Sequence, residues 1–267
     1  MENTNTKWDS FFLDLQEKGR YTFTFDELRN RFPNLSDEAL LQGLYRYKVK
    51  KQVAQIRKSF YAIISPEYSK QGMLPPYMFI DDLMKSLNKP YYVALVSAAA
   101  LHGAAHQQPQ VYFVITQTPA PRSIQNSKLK ITFISKTAWD SAFIIQKKTN
   151  AGYMNVSSPE LTALDLLAYS TNFGLNRVST ILQELSEEMK PSVLSRIAKK
   201  YPTTPVLQRL GYILDRVLNE EKLADSLCKI LIGRQPLPVP LSIEKGKNGE
   251  IDEKWNIIKN MEIESDL

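Results

Sequence analysis

Between Arg46 and Lys58 the sequence places six basic side chains, Arg46, Lys48, Lys50, Lys51, Arg57 and Lys58, and no acid. Positive charge concentrated in this way attracts polyanions, and a nucleic-acid backbone is bound with release of its counterions. A second basic run, from Gln110 to Asn150, sets Arg122, Lys128, Lys130, Lys136, Lys147 and Lys148 against one acid, Asp140. It has three readings: an extension of a DNA footprint, a hold on RNA, or a solvated face. From Asn219 onward the balance reverses, with ten acids against seven bases. Over 267 residues, 34 basic and 28 acidic side chains leave a net charge of +6.

Catalytic chemistry has little to build on. None of the ten glycines falls in a G-x-G-x-x-G, P-loop or G-x-S-x-G pattern, so the usual nucleotide cradle and hydrolase elbow are absent. His102 and His106 are four apart, a spacing that can hold a metal on one helical face. Gly103 and Pro109 predict instead that the helix ends there, which suits histidines that cap the last carbonyls. A single cysteine, Cys228, excludes a disulfide framework and a multi-thiolate zinc site. No metal, cofactor or enzymatic activity is expected. Asp165 lies at the edge of an apolar stripe with Leu161, Leu164, Leu167 and Ala168, where a carboxylate must be paired or reach water. A structural ion pair with Arg209 or Arg177 is one expectation, a solvated helix flank the other.

These groups need elements to hold them, and 43% apolar residues are enough to bury a core. Trp8, Phe11, Phe12 and Leu15 have the spacing of an amphipathic helix ended by Gly19. A short strand is predicted at Tyr21–Phe23. Thr24 and Glu27 form a capping box for a second helix to about Arg31, and Ser36 caps a third to about Lys50. Two β-rich runs, Val53–Ile56 and Phe60–Ile64, flank Arg57-Lys58-Ser59 as a basic hairpin. Helix, strand, helix, turn, helix and hairpin is the order of a winged helix-turn-helix, whose third helix enters the major groove.

On that third helix Leu40, Leu44 and Tyr47 pack inward, which turns Gln42, Tyr45, Arg46 and Val49 outward or sideways. Gln42 suits an adenine edge, and Arg46 a guanine edge or a phosphate. Lys48, Lys50 and Lys51 suit the backbone, while Arg57 and Lys58 at the wing tip suit phosphate or the minor groove. Asp37 and Glu38 favour the helix dipole but repel phosphates, so the middle of the helix is expected to approach DNA.

The fold expected is α+β. A winged helix-turn-helix spans 1–66, a proline-rich linker 67–76 and a mixed domain 77–267. Within the mixed domain, a sheet region covers about 110–157, a helical region about 158–232, and an extended tail 233–267. Helices are predicted at Tyr77–Leu87 and Tyr91–His102, then at 176–187, 191–200, 205–218 and 221–231. Strands are predicted at 110–116, 129–135, 144–149 and 153–157, with one short strand at Trp255–Lys259. The start of the chain lacks an apolar leader core, and Val93–Leu101 is too short to span a bilayer. A cytoplasmic protein without a membrane partner is expected.

The first 65 residues resemble the N-terminal domain of AbiEi antitoxins, the repressor halves of AbiE abortive-infection toxin–antitoxin systems. The resemblance rests on Ser36–Tyr47 and on Arg57-Lys58-Ser59-Phe60-Tyr61-Ala62-Ile63. It continues through Tyr92–Gly103, Ser157-Ser158-Pro159-Glu160, Gln208-Arg209-Leu210-Gly211-Tyr212 and Lys254–Asn260. Ser59 stands where the family's wing often has glycine, and Lys50-Lys51-Gln52 is a segment where a glycine is common. The resemblance implies an autorepressor that binds inverted repeats of double-stranded DNA in its own promoter, and a monomer in solution or a weak dimer on the DNA is expected. It further implies opposition to a co-encoded nucleotidyltransferase-like toxin without the need for a stable complex. The alternative is a protein- or RNA-binding module that uses the winged helix as a dock.

Overall fold

The computed structural model describes residues 4–104 and 109–263. The chain separates into two compact units, Met1–Tyr92 with Gln110–Trp139 and Gln146–Asn155, and Val93–Pro109 with Asp140–Ile145 and Val156–Leu267. The protein is α+β, with helices and three sheets among the described residues.

The first unit begins with α1 (Thr4–Glu17), β1 (Thr22–Thr24), α2 (Phe25–Arg31), α3 (Asp37–Val49), β2 (Val53–Arg57) and β3 (Phe60–Ile63). The strands form an antiparallel sheet in the order β1-β3-β2. Both predicted caps form. The Glu27 amide donates to Thr24 Oγ1 at 3.1 Å while the Thr24 amide donates to Glu27 Oε2 at 2.8 Å, and Ser36 Oγ accepts from the Ala39 amide. Trp8, Phe11, Phe12 and Leu15 are buried, as their spacing predicts. The Trp8 ring lies between Phe32, 5.4 Å away and nearly parallel, and Tyr47, at 5.5 Å. Gly43 makes room for it, since a Cβ there would stand 2.6 Å from the indole. This explains a glycine in a helix interior despite a propensity cost of about 1 kcal/mol.

The chain continues through 3₁₀ turns at Pro66–Tyr68 and Pro76–Met78 to α4 (Ile80–Ser86). It then forms β4 (Tyr91–Val93), α5 (Leu95–Leu101), β5 (Tyr112–Gln117), β6 (Ile124–Gln125), β7 (Lys130–Lys136), β8 (Ile144–Thr149) and β9 (Gly152–Ser157). The six strands make one sheet in the order β6-β7-β5-β4-β9-β8, with β5 parallel to β7 and β6 antiparallel to it. The predicted helix Tyr91–His102 is corrected here. Its first three residues, two aromatics and a valine, are a buried strand. Leu95, at φ +55°, turns the chain from that strand into α5, a conformation that strains a leucine. The helix predicted from Tyr77 starts later, after the 3₁₀ turn.

In the second unit α6 (Pro159–Ala168), α7 (Leu175–Ser186), α8 (Pro191–Lys200), α9 (Thr204–Tyr212) and α10 (Glu221–Ile232) join α5. Ser158 caps α6, and the buried Glu160 carboxylate accepts the Lys190 amide at the start of α8. The helix predicted for 205–218 is α-helical only to Tyr212 and then widens into a π turn, Ile213–Val217. The tail differs more. In place of one strand it has three, β10 (Val239–Pro240), β11 (Ile251–Asp252) and β12 (Ile257–Ile258), in the order β10-β12-β11.

This small sheet is held onto α9 by residues far apart in sequence. Gln208 Nε2 lies within hydrogen-bond reach of the carbonyls of Leu237, Trp255 and Asn256, at 2.9, 3.1 and 3.1 Å. Trp255 is fully buried against Gly211, and its indole N–H donates to Asp215 at 2.8 Å. A Cβ on Gly211 would overlap the ring. Gly211→Ala is therefore expected to lower unfolding free energy by about 2–3 kcal/mol, the range of core overpacking. Chemical denaturation measures it against Gly246→Ala, where a Cβ meets open space and little should change.

Candidate nucleic-acid interface

The rotation of α3 is set by its buried residues, Leu40, Gly43, Leu44 and Tyr47. On the opposite side Gln42, Tyr45, Arg46, Lys48, Val49 and Lys50 are exposed, as is Lys51 after the helix. The hairpin reaches the same surface, because Lys48 Nζ donates to Gln55 Oε1 on β2 at 3.1 Å. Lys58 is exposed at the hairpin tip beside Ser59. The tip is tied to α2, where the Phe25 amide donates to the Ser59 carbonyl at 3.0 Å. Arg57 is half-buried, and its Nη1 is enclosed without a hydrogen-bond partner among the described residues. Lys50 Nζ lies 5.9 Å from the centre of the Tyr47 ring, a cation–π contact that keeps the ammonium beside the helix end.

Two acids at the start of α3 are expected to repel phosphate, and one is neutralised. Arg29 reaches Asp37 with two bonds, at 2.9 and 2.6 Å, and its guanidinium lies over Phe25. Sequence reasoning missed this pair, and the i, i+8 separation across a turn offers no helical spacing to reveal it. It also passed over Leu41 and Gln55. Leu41 precedes the outward Tyr45 by four residues, and Gln55 alternates with the buried Ala54 and Ile56, so both signals were present in the spacing.

Ser59, and Lys51 within the Lys50–Gln52 segment, hold glycine-like backbones. Lys51 has φ +56° and Ser59 φ +60°. Both turns are thus made at the expense of strain in L-residues.

The second basic run is divided. Arg122, Lys128 and Lys130 lie at the β6–β7 edge of the six-stranded sheet, while Lys147 and Lys148 lie on β8 at the other edge. Four to five strand spacings, roughly 20 Å, separate them. Lys136, on β7, donates to the Tyr92 hydroxyl at 3.1 Å. Lys128 Nζ is 3.4 Å from the Gly72 carbonyl.

In the second unit, Asp165 is fully buried and accepts from the Tyr201 hydroxyl at 3.3 Å. Arg209 Nε donates to the Pro240 carbonyl at 3.0 Å, and desolvation lowers its pKa. Arg177 is exposed. His102 Nε2 is 2.8 Å from the Ser157 carbonyl, so that nitrogen carries the proton. His106 lies outside the described residues. Among those residues no group of three His, Cys, Asp or Glu side chains is placed to hold a metal. No described helix is long and apolar enough to cross a membrane.

These features define an α+β protein with a basic helix-and-hairpin face in its first unit. Residues 92–216 match the family model of the AbiEi antitoxin C-terminal domain. No curated protein matches the sequence. The crystal structure of the RV2827C protein from Mycobacterium tuberculosis shares the fold, with a TM-score of 0.67 and 18% identity over 94% of this chain and 90% of that one. An antigenic nucleotidyltransferase-like protein from Paracoccidioides brasiliensis aligns at a TM-score of 0.36 and 12% identity, over 57% of this chain and 89% of that one. That alignment is too weak to inform the fold.

Ser59→Gly is expected to raise stability by about 0.5–1 kcal/mol by relieving the left-handed serine, as denaturant unfolding reads it. Glu27 gives a pH test. Burial raises its pKa, but the Thr24 amide and Arg20 together outweigh burial and hold it below the usual 4.5. Its stabilisation is complete above that value and is lost as pH falls through the lowered one. Glu27→Gln should therefore have a lower Tm than wild type at pH 7, with the gap closing below pH 4.5.

Proposed function

We propose that this protein is an antitoxin of the AbiEi family and a DNA-binding autorepressor. In this reading residues 1–66 act as a winged helix-turn-helix, followed by the linker 67–76 and the antitoxin domain, 77–267. The observation that carries it is the Lys48–Gln55 bond, which brings the outward face of α3 and the hairpin together, with the acid-free run from Arg46 to Lys58 spread across both. Arg46 and Gln42 face the base edges, while Lys48, Lys50, Lys51 and Lys58 hold phosphates. Arg57, half-buried, supports the hairpin as well as contributing charge. The binding site is an inverted repeat in the protein's own promoter, occupied by monomers that associate weakly on the DNA. Repression accompanies opposition to a co-encoded nucleotidyltransferase-like toxin in the cytoplasm, without catalysis and without a required stable complex.

A mobility shift on the protein's own upstream DNA tests this. With about five phosphates neutralised per protomer, log K should fall against log salt with a slope near −4 to −5. Arg46→Ala combined with Lys58→Ala, both at exposed positions, should abolish the specific shift with the fold retained. No shift at low salt, or a slope shallower than about −1, would favour a protein dock and reject the repressor reading.

A further inference from the structure

The centre of the exposed α3 face is apolar. Tyr45 is 67% exposed, Val49 63% and Leu41 52%. At about 100° per residue, Leu41 and Val49 sit roughly 40° to either side of Tyr45, with Lys48 and Arg46 on opposite flanks. The stripe is about 12 Å long, the rise of eight helical residues. Three large apolar side chains left in water on one helix face are unfavourable unless something covers them.

Charge indicates the occupant. The stripe lies between Arg46 and Lys48, beside Lys50 and Lys51, and Lys48 joins it to the hairpin. Of the two acids at the helix start, Asp37 is taken up by Arg29, while the exposed Glu38 lies one turn before Leu41 and Gln42, so the basic frame is strongest from Tyr45 onward. A polyanion fits this frame better than an apolar protein groove, which would leave the cations unpaired. In the major groove the apolar groups displayed by the base pairs are the 5-methyl groups of thymine.

We infer that Leu41, Tyr45 and Val49 are specificity-determining residues that pack on thymine methyl groups, so that the protein selects T-bearing positions at the centre of each half-site. This rests on the DNA-binding reading above and adds to it the basis of selection. Gln42, on the same exposed face, suits the adenine paired with such a thymine, so both bases of one A·T pair are read from the major groove.

The test uses the full chain and its own upstream fragment, prepared once with thymidine and once with deoxyuridine, which lacks only the methyl. Each methyl buried contributes about fourfold in affinity, so two or three should give wild type a preference for the thymidine duplex of at least about tenfold. The Leu41→Ala/Tyr45→Ala/Val49→Ala variant, at exposed positions and checked by circular dichroism, should bind both duplexes equally and weakly. Lys48→Ala should weaken both by the same factor.

Equal binding of wild type to the two duplexes, with the specific shift intact, overturns the methyl inference and leaves the repressor reading standing. A preference undiminished in the triple variant also overturns it, because DNA shape would then be the source. Unchanged DNA binding by the triple variant, together with loss of self-association or toxin binding, reassigns the stripe to a protein dock. Absence of any shift overturns both readings.

Discussion

Trp8 filling the space left by Gly43 is the constraint on which the N-terminal unit depends. The indole sits against the α3 backbone, between Phe32 and Tyr47, and no side chain larger than glycine's can stand opposite it. Close approach at that point fixes α3 in both depth and rotation. Leu40, Leu44 and Tyr47 follow Gly43 into the core, and Tyr45, Val49, Gln42 and Arg46 are left facing water. The outward face is thus a consequence of a packing decision made on the other side of the helix. Tyr47 reinforces it, with its hydroxyl donating to Asp9 on α1 at 2.8 Å.

The second unit uses the same device. Trp255 packs on Gly211 as Trp8 packs on Gly43, and Asp215 takes the indole N–H and the Lys254 ammonium. The family match ends at residue 216, yet Gly211 inside it is shaped by a tryptophan outside it. The tail is part of this unit's packing, with the Gln208 amide NH2 donating among three of its carbonyls and Arg216 bonded to Asp252. Buried polar groups are matched in this way because an unpaired one costs about 1–3 kcal/mol.

Much of this was legible in the sequence because it is local. Caps at Thr24, Ser36 and Ser158 need only a residue and its third neighbour, and the α1 and α3 faces need only helical spacing. The Tyr91–Val93 strand was not legible. Its neighbours in the sheet lie far along the chain, and its apolar run joins a small-residue helix without a break in composition. The three-stranded tail was hidden for a similar reason, since strands of two residues carry no periodicity. At the candidate site, the exposed cations followed from spacing. The Lys48–Gln55 bond, the Arg29–Asp37 pair and the separation of the second basic run to opposite sheet edges required the tertiary structure. Lys51 and Ser59 show the limit of reading residue type alone, because a lysine and a serine hold backbones that glycine prefers.

Hydrogen–deuterium exchange of the full chain with and without its own upstream duplex reports directly which backbone the DNA covers. DNA is expected to slow exchange chiefly in peptides spanning Leu41–Ser59, with the second unit little changed. Protection confined to the second unit, or to the β8 edge of the sheet, with α3 and the hairpin exchanging as in the free protein, would contradict that expectation.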